Sequence, residues 1–262
     1  MLKLPKKFTD RVQANIKKYQ KIAEQQKVAD VAEADTVTLV KDILADVFGY
    51  DKYAELTSEF QIRGTYCDLA VKIDGKLKLL IEVKSAGTDL NNNHLKQAVD
   101  YGAHKGILWV ILTNGLEWRL VKIYLAGQIN FEVISRFNLL NINIKKDDDL
   151  QSMFLIAREG LLVDAMDTYH FNSQLLNRYT VSEIVRSEPV VSTIRREIKK
   201  LFPEAKVTAE IISDFLVNEV VRRETLEGDK AKDAQDRIRK AQKKLARAAT
   251  KAQQPSAPEE TE

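Results

Sequence analysis

Apolar residues set the rhythm of the chain from its start. Phe8, Val12, Ile16, Tyr19 and Ile22 fall three or four apart, which predicts an opening amphipathic helix with Thr9 as its N-cap. Val37, Val40, Leu44 and Val47 repeat that spacing and predict a second helix over about residues 33–48, stopped by Gly49. The period then changes to alternation. Strands are predicted near Leu56–Ile62, Thr65–Ile73 and Leu77–Lys84, the last two joined through Asp74-Gly75. A polar stretch, SAGTDLNNN, leads into a predicted helix around Leu95–His104. Beyond Gly106 the run ILWVILT reads as a buried strand, and LEWRLVKIY as its return across an Asn114-Gly115 turn.

Strand signals stop at about Asp147. DLQSMFLIARE, LLVDAMDTYHFNSQLLNRY, SEIVRSEPVVSTIRREIKKLF and TAEIISDFLVNEVVRRE all carry helical spacing, with Pro203 punctuating between two of them. Residues after Gly228 are rich in Lys, Arg, Ala and Gln and end in PSAPEETE, the composition of a flexible tail. Within that tail Ala231, Ala234, Ile238, Ala241, Leu245 and Ala248 alternate spacings of three and four, a thin seam suited to a coiled coil and so to a homo-oligomer. The expected organisation is an N-terminal helix over 1–29, an α/β domain over 30–145, a helical extension over 146–227 and a basic tail over 228–262.

Composition narrows the class. At 262 residues and 44% hydrophobic content, the chain can bury one sizeable core and a smaller second one. Cys67 is the one cysteine, so no intrachain disulfide forms, and no repeated Cys/His spacing suggests zinc. A reducing, cytoplasmic setting is expected. The first residues turn charged before any apolar segment builds, and no run is apolar enough to span a bilayer, so neither export nor a membrane partner is expected. Net charge is +3 but unevenly spread: Arg222 to Lys251 carries eleven basic and five acidic residues, and the residues before Arg222 sum to zero. A run of that kind serves a polyanion such as DNA, or is simply a solvated helix face.

Chemistry concentrates in TYCDLAVKIDGKLKLLIEVKS, residues 65–85. Cys67, Leu69, Val71 and Ile73 on one strand, and Leu77, Leu79, Ile81 and Val83 on the next, form the apolar face, leaving Asp68, Glu82 and Lys84 to share the other. A two-residue Asp74-Gly75 loop would pair Asp68 with Ile81, so a three-residue loop with Gly75 left-handed is predicted. Two carboxylates and a lysine on adjacent strands suit Mg²⁺-assisted phosphodiester hydrolysis, with Mn²⁺ as a substitute. Hard cations prefer carboxylate oxygens, and a lysine two residues from Glu82 can orient a water or stabilise charge on the phosphate. Taken alone, an ExK on a strand is common and reads as a solvated pair. Glu33 changes that weighting, because it lies four residues before Val37 on the core-facing stripe, where a carboxylate needs a partner and a metal site supplies one. A helix-start residue favoured by the macrodipole is the plainer reading of Glu33. Gln97 and Tyr101, four apart on a helix, present an amide and a phenol that can contact a phosphate.

The order Glu33-Ala-Asp-Thr, Asp68, Glu82-Val-Lys84, Gln97-xxx-Tyr101 and LTNGLEWRL resembles the N-terminal nuclease domain of type I restriction enzyme R subunits, of the PD-(D/E)xK superfamily, and shares the Q-xxx-Y element of its RecB-like branch. The resemblance covers roughly residues 30–140. It implies an α/β, restriction-endonuclease-like core with a central mixed sheet flanked by helices, followed here by the all-helical extension. It also implies that Asp68 and Glu82 bind metal, that Lys84 is catalytic and that Gln97 and Tyr101 assist with substrate. Two departures stand out: Cys67 replaces the proline of the family's name, and no GxxxxGK[ST] is present, so the ATP-driven translocase of a full R subunit is not in this sequence. The expected function is a divalent-metal-dependent DNA endonuclease in restriction, defence or repair, working alone or with partner subunits. A non-catalytic nucleic-acid-binding or regulatory module keeping the nuclease fold is the alternative, and a protein docking through its C-terminal helices is a third.

Overall fold

A computed structural model describes residues 2–62, 65–125 and 127–252. The chain divides into two units, Met1–His170 and Phe171–Glu262. In the first, α1 (Lys6–Val28) and α2 (Glu33–Asp46) precede strands β1 (Leu56–Ile62), β2 (Thr65–Ile73) and β3 (Lys76–Val83). Helix α3 (Asn92–Lys105) then crosses to β4 (Trp109–Thr113), β5 (Glu117–Tyr124) and β6 (Asn130–Asn138). The six strands lie in sequence order. The β3–β4 pair is parallel, as a helical crossover requires, and the other neighbours are antiparallel.

Side chains pack on both faces of this mixed sheet. On one face Leu69, Val71, Leu79, Ile81, Val83 and Ile111 meet Phe8, Val12 and Ile16 of α1, Leu39, Ile43 and Leu44 of α2, and Met153 and Phe154 of α4 (Asp147–Ile156). On the other, Ala70, Leu80, Val110, Leu112 and Val121 meet Leu95, Ala98 and Val99 of α3. The expected boundaries at 29/30 and 145/146 therefore fall inside one packed unit. Phe8 and Phe154 show why: their rings meet edge to face at 5.3 Å, joining α1 to α4 across nearly 150 residues. Thr9 is not the N-cap of α1; the helix starts at Lys6 behind Pro5, and the Thr9 hydroxyl donates to Lys6 O.

The hairpin between β2 and β3 reaches the required phase by a different route from the three-residue loop. Asp74 and Gly75 both have positive φ, 50° and 72°, and form a two-residue turn between Ile73 and Lys76. Val71 pairs with Leu79 but Lys72 pairs with Leu77, so Lys78 is a one-residue bulge. That extra residue supplies the odd step in place of a longer loop. It also moves Leu77 to the α3 side, where it packs against the cluster that contains Leu80 and Cys67 instead of joining Leu79. Cys67 likewise sits on the α3 side; opposite this point β1 leaves extended backbone at Glu59, with φ of 48°. At the next hairpin the turn pair is Gly115-Leu116, closed by Asn114 N to Glu117 O at 3.3 Å.

After α5 (Arg158–Leu162) and α6 (Ala165–Leu175), the second unit contains α7 (Arg178–Val185), α8 (Glu188–Leu201), α9 (Ala209–Phe215) and α10 (Asp229–Ala252). Val191, Ile212 and Leu216 form its apolar cluster. The segment expected to be a flexible tail is helical through 252, in keeping with its content of Ala, Lys, Arg and Gln, all strong helix formers. Its PSAPEETE end lies outside the described residues. Among the described residues no helix is long and apolar enough to cross a membrane.

Candidate active site

Two strands bring the predicted residues together. The β2–β3 ladder runs to Leu69 opposite Ile81, and beyond it Asp68 Oδ2 accepts a 2.7 Å hydrogen bond from Val83 N. A side chain thus takes the amide that the neighbouring backbone leaves unpaired. Glu82, one residue earlier on β3, is 2% exposed. Its Oε1 accepts from Lys84 Nζ at 2.7 Å, and its Oε2 has no hydrogen-bond partner among the described residues. Glu33, the first residue of α2, approaches from outside: its Oε1 lies 3.8 Å from Lys84 Nζ, with the side chain 47% exposed. It faces the site as an ion-pair partner of the lysine. Of the predicted stripe on α2, Val40, Leu44 and Val47 are buried and Val37 only partly so; Thr36, Leu39 and Ile43 complete it.

Burial and mutual repulsion set the electrostatics. Desolvation first, and then the Asp68 charge, push the Glu82 carboxyl up to about 7 against the pull of Lys84. Desolvation also raises Asp68, opposed by its bond from Val83 N and by Lys84. Burial works to lower the Lys84 ammonium, but its bond to Glu82 and the fields of Glu82, Glu33 and Asp68 outweigh this and raise it. Lys84 therefore stays charged while Glu82 titrates near neutrality. Burial, with the fields of Glu82 and Asp68, pushes the Cys67 thiol up to about 12, so the sulfur beside the site is a packed apolar group and no nucleophile.

The strand end is fixed by the segment that follows it. Ala86 N donates to the buried Thr36 hydroxyl at 3.1 Å, tying this segment to the first turn of α2 and so to Glu33. Asn114 Nδ2 donates to Thr88 O at 2.9 Å, and Arg119 Nη2 donates to Leu90 O at 2.9 Å. Helix α3 then begins with Asn91 accepting from Asn93 N and His94 N. Gly102 lets α3 approach the sheet: a Cβ there would lie 2.4 Å from Ile123 Cδ1 and 2.7 Å from Val110 Cγ1. Gln97 and Tyr101 project from this helix, and the amide Nε2 of Gln97 donates to Tyr101 OH at 3.1 Å. They are joined to each other, while Lys84 bonds to Glu82 and Asp68 to Val83 N.

Strand register adds two residues that sequence reasoning missed. Glu82 pairs with Leu112, Leu112 with Arg119, and Arg119 with Arg136, so these four share one face in a row across β3 to β6. Glu117 Oε1 accepts a 2.7 Å hydrogen bond from Arg119 Nε and forms an ion pair with Arg136 Nε at 2.7 Å, leaving the group with net positive charge. No local motif could have marked Arg119 or Arg136, since only the pairing of four strands aligns them with Glu82.

The donor set has the chemistry a hard cation prefers: the buried Glu82 carboxylate with one unbonded oxygen, the half-buried Asp68 carboxylate and a fixed ammonium. Among the described residues no three His, Cys, Asp or Glu side chains are grouped closely enough to form a cation cage, and Glu33 reaches the site through its 3.8 Å contact with Lys84 Nζ. No curated protein and no solved structure matches the chain. Residues 39–137, from within α2 to the end of the sheet, match the family described as Type I restriction enzyme R protein N terminus (HSDR_N), and over that span the chain resembles the N-terminal domain of those R proteins.

Proposed function

We propose that this chain is a divalent-cation-dependent DNA nuclease whose working groups are Asp68, Glu82 and Lys84. The match over residues 39–137 supports a nuclease-related role. The observation that carries the finer reading is the buried Glu82: one oxygen held by Lys84, the other unbonded, and the Asp68 carboxylate near enough to raise its pKa. A binding module has no use for two acids that repel phosphate.

Asp68 and Glu82 would hold Mg²⁺ or Mn²⁺, which on binding supplies an acidified water and offsets charge on the scissile phosphate. Glu82 offers a ligand in its deprotonated form, which its pKa of about 7 makes available at neutral pH and above. Lys84, already charged and fixed, is placed to stabilise the extra negative charge of the pentavalent transition state. Glu33 restrains the lysine from the outer side and is open enough to turn toward a cation. Gln97 and Tyr101 can exchange their mutual bond for a phosphate oxygen, and Arg119 and Arg136 extend positive charge along the same sheet face for flanking phosphates. An endonuclease acting in restriction, defence or repair with partner subunits fits this arrangement.

Supercoiled plasmid incubated with purified protein and Mg²⁺ or Mn²⁺ tests the reading. Nicked or linear product is expected, falling by roughly 10²- to 10³-fold in rate for Lys84→Ala, the loss typical of removing one transition-state charge stabiliser. Asp68→Ala and Glu82→Ala should lose cleavage while keeping DNA affinity. Cleavage undiminished in all three variants would overturn the assignment.

A further inference from the structure

We propose that the second half of α10 is a nucleic-acid-backbone contact, a basic rail that binds duplex DNA without reading its sequence. The helix is divided along its length. Its first half carries Asp229, Asp233 and Asp236 and is anchored within the Phe171–Glu262 unit, with Ala231 and Ala234 buried and Arg237 Nη1 donating to Gln174 O at 2.5 Å. From Arg237 to the helix end no acidic residue occurs, whereas Arg239, Lys240, Lys243, Lys244, Arg247 and Lys251 all do. All seven residues 241–247 are exposed.

Geometry turns this composition into a surface. At about 100° per residue, Lys240, Lys243, Lys244 and Arg247 fall within an arc of about 100°, and they span about 10 Å of helix axis. All four are exposed, and none forms an ion pair with a described residue. Four uncompensated cations on one ridge are held at constant spacing by a helix rooted at its other end. Such a ridge costs self-repulsion and contributes no packing, and a polyanion that releases counterions on binding offsets that cost. Leu245, 70% exposed on the other side of the helix, offers a single large apolar group, too little for a stable helical seam without Ile-, Leu- or Val-rich neighbours. The charge, rather than the thin alanine seam, therefore selects the occupant.

The rail is independent of the nuclease reading, and testing it needs no cleavage. Binding of a 30-base-pair duplex is measured in EDTA at several salt concentrations for the full chain and for K240Q/K244Q and K240Q/K243Q/K244Q/R247Q. Helix content by circular dichroism checks that the variants fold. The magnitude of the log K against log [salt] slope should fall by roughly 0.9 for each phosphate no longer neutralised, so by up to about 3.6 in the quadruple variant and half that in the double. A random-sequence duplex should bind as the first does. Unchanged slope and affinity would overturn the proposal. So would binding to phosphatidylserine vesicles with none to duplex, or a concentration-dependent mass that Leu245→Ser abolishes while the slope stays the same. Duplex binding lost in these variants of a protein that never cleaves would uphold the rail and remove the nuclease.

Discussion

The unit Met1–His170 encloses large side chains on both faces of a six-stranded sheet, with Phe8, Phe48, Trp118 and Phe154 fully buried. Phe171–Glu262 gathers its apolar cluster from Val191, Ile212 and Leu216 and leaves Leu201, Phe202, Ile211 and Phe215 more than half exposed. The two units treat charge correspondingly. In the first, Glu82 and Lys84 are taken out of water and set against one another, which only a well-packed frame can hold, since a buried charge relaxes toward solvent wherever packing allows. In the second, cations stand on a helix surface with water on most sides. A buried, pKa-shifted pair is what the proposed chemistry calls for, and solvated charge suits ground-state attraction. The depth of each core decides which of these its unit can support.

Phe8→Ala should have the greatest consequence for the better-packed unit. Phe8 is fully buried, and losing it should cost about 3 to 5 kcal/mol, the usual range for a buried phenylalanine. Hydrogen exchange should show protection falling across β2 to β5 with α8 and α9 unchanged. Ile212→Ala should do the reverse at about 2 kcal/mol, the low end for a side chain that keeps some exposure. Protection lost in both units from either change would show that they do not fold as separate cooperative blocks.

A smaller effect probes how the first unit holds its charges. The Glu82 carboxyl, near 4.5 in an unfolded chain, sits at about 7 in the folded one. The folded state therefore holds its proton more tightly, so the stability this group contributes is fully present below about pH 4.5 and is lost as pH rises through 7. The loss is up to about 3 kcal/mol at 1.36 kcal/mol per unit. Urea unfolding in EDTA from pH 5 to pH 8 should show that decline in the wild type and a flatter profile in Glu82→Gln. Adding Mg²⁺ at pH 8 should restore stability to the wild type and not to the variant, because the cation binds the deprotonated carboxylate of the folded state. Parallel profiles for the two proteins would mean that Glu82 is already ionised at low pH.

Much of this frame is legible in the residues alone. Strands β1 and β2 and the start of α2 coincide with the predicted spans: Leu69, Val71 and Ile73 alternate on β2, and Val40, Leu44 and the C-cap Val47 recur along α2. The break at Glu59 divides Leu56 from Phe60 between the two cores without moving the ends of β1. Strand β6 carries no such signal: as an edge strand it is half exposed throughout, and a register shift between Leu120 and Val121 sends Phe131 to one core and Ile134 and Phe137 to the other. That shift erases the alternation that would mark it. Asp68, Glu82 and Lys84 are legible as a group from side-chain parity, whereas Arg119 and Arg136 are not, since parity along one strand says nothing about which residue of the fourth neighbour stands alongside. The helical tail escapes the sequence for a related reason. Charge and low hydropathy mark a segment as solvated, and α10 is both solvated over its exposed half and fully regular in backbone.

The bulge at Lys78 carries the smallest expected change and the most pointed one. Reading parity from a two-residue turn puts Glu82 on the wrong face, and the protein corrects this with one exposed residue between Leu77 and Leu79. Deleting Lys78 leaves Ile73 opposite Lys76, Lys72 opposite Leu77 and Val71 opposite Leu79, now as an uninterrupted ladder with every pair toward the site retained. Because Lys78 contributes no buried surface, its loss should change stability by about 1 kcal/mol or less, within the range of surface changes away from caps and cores. Cleavage and the pH-dependent stability of the Glu82 site should persist. If the bulge instead supplies twist that holds β2 and β3 apart at Asp68, the deletion would close the ladder past Leu69 and Val83 N would pair with backbone in place of the Asp68 carboxylate. Amide exchange at Val83, slow in both cases, would not separate these outcomes. Retention or loss of cation-induced stabilisation in the deletion variant does, since a displaced Asp68 leaves Glu82 to hold the cation alone.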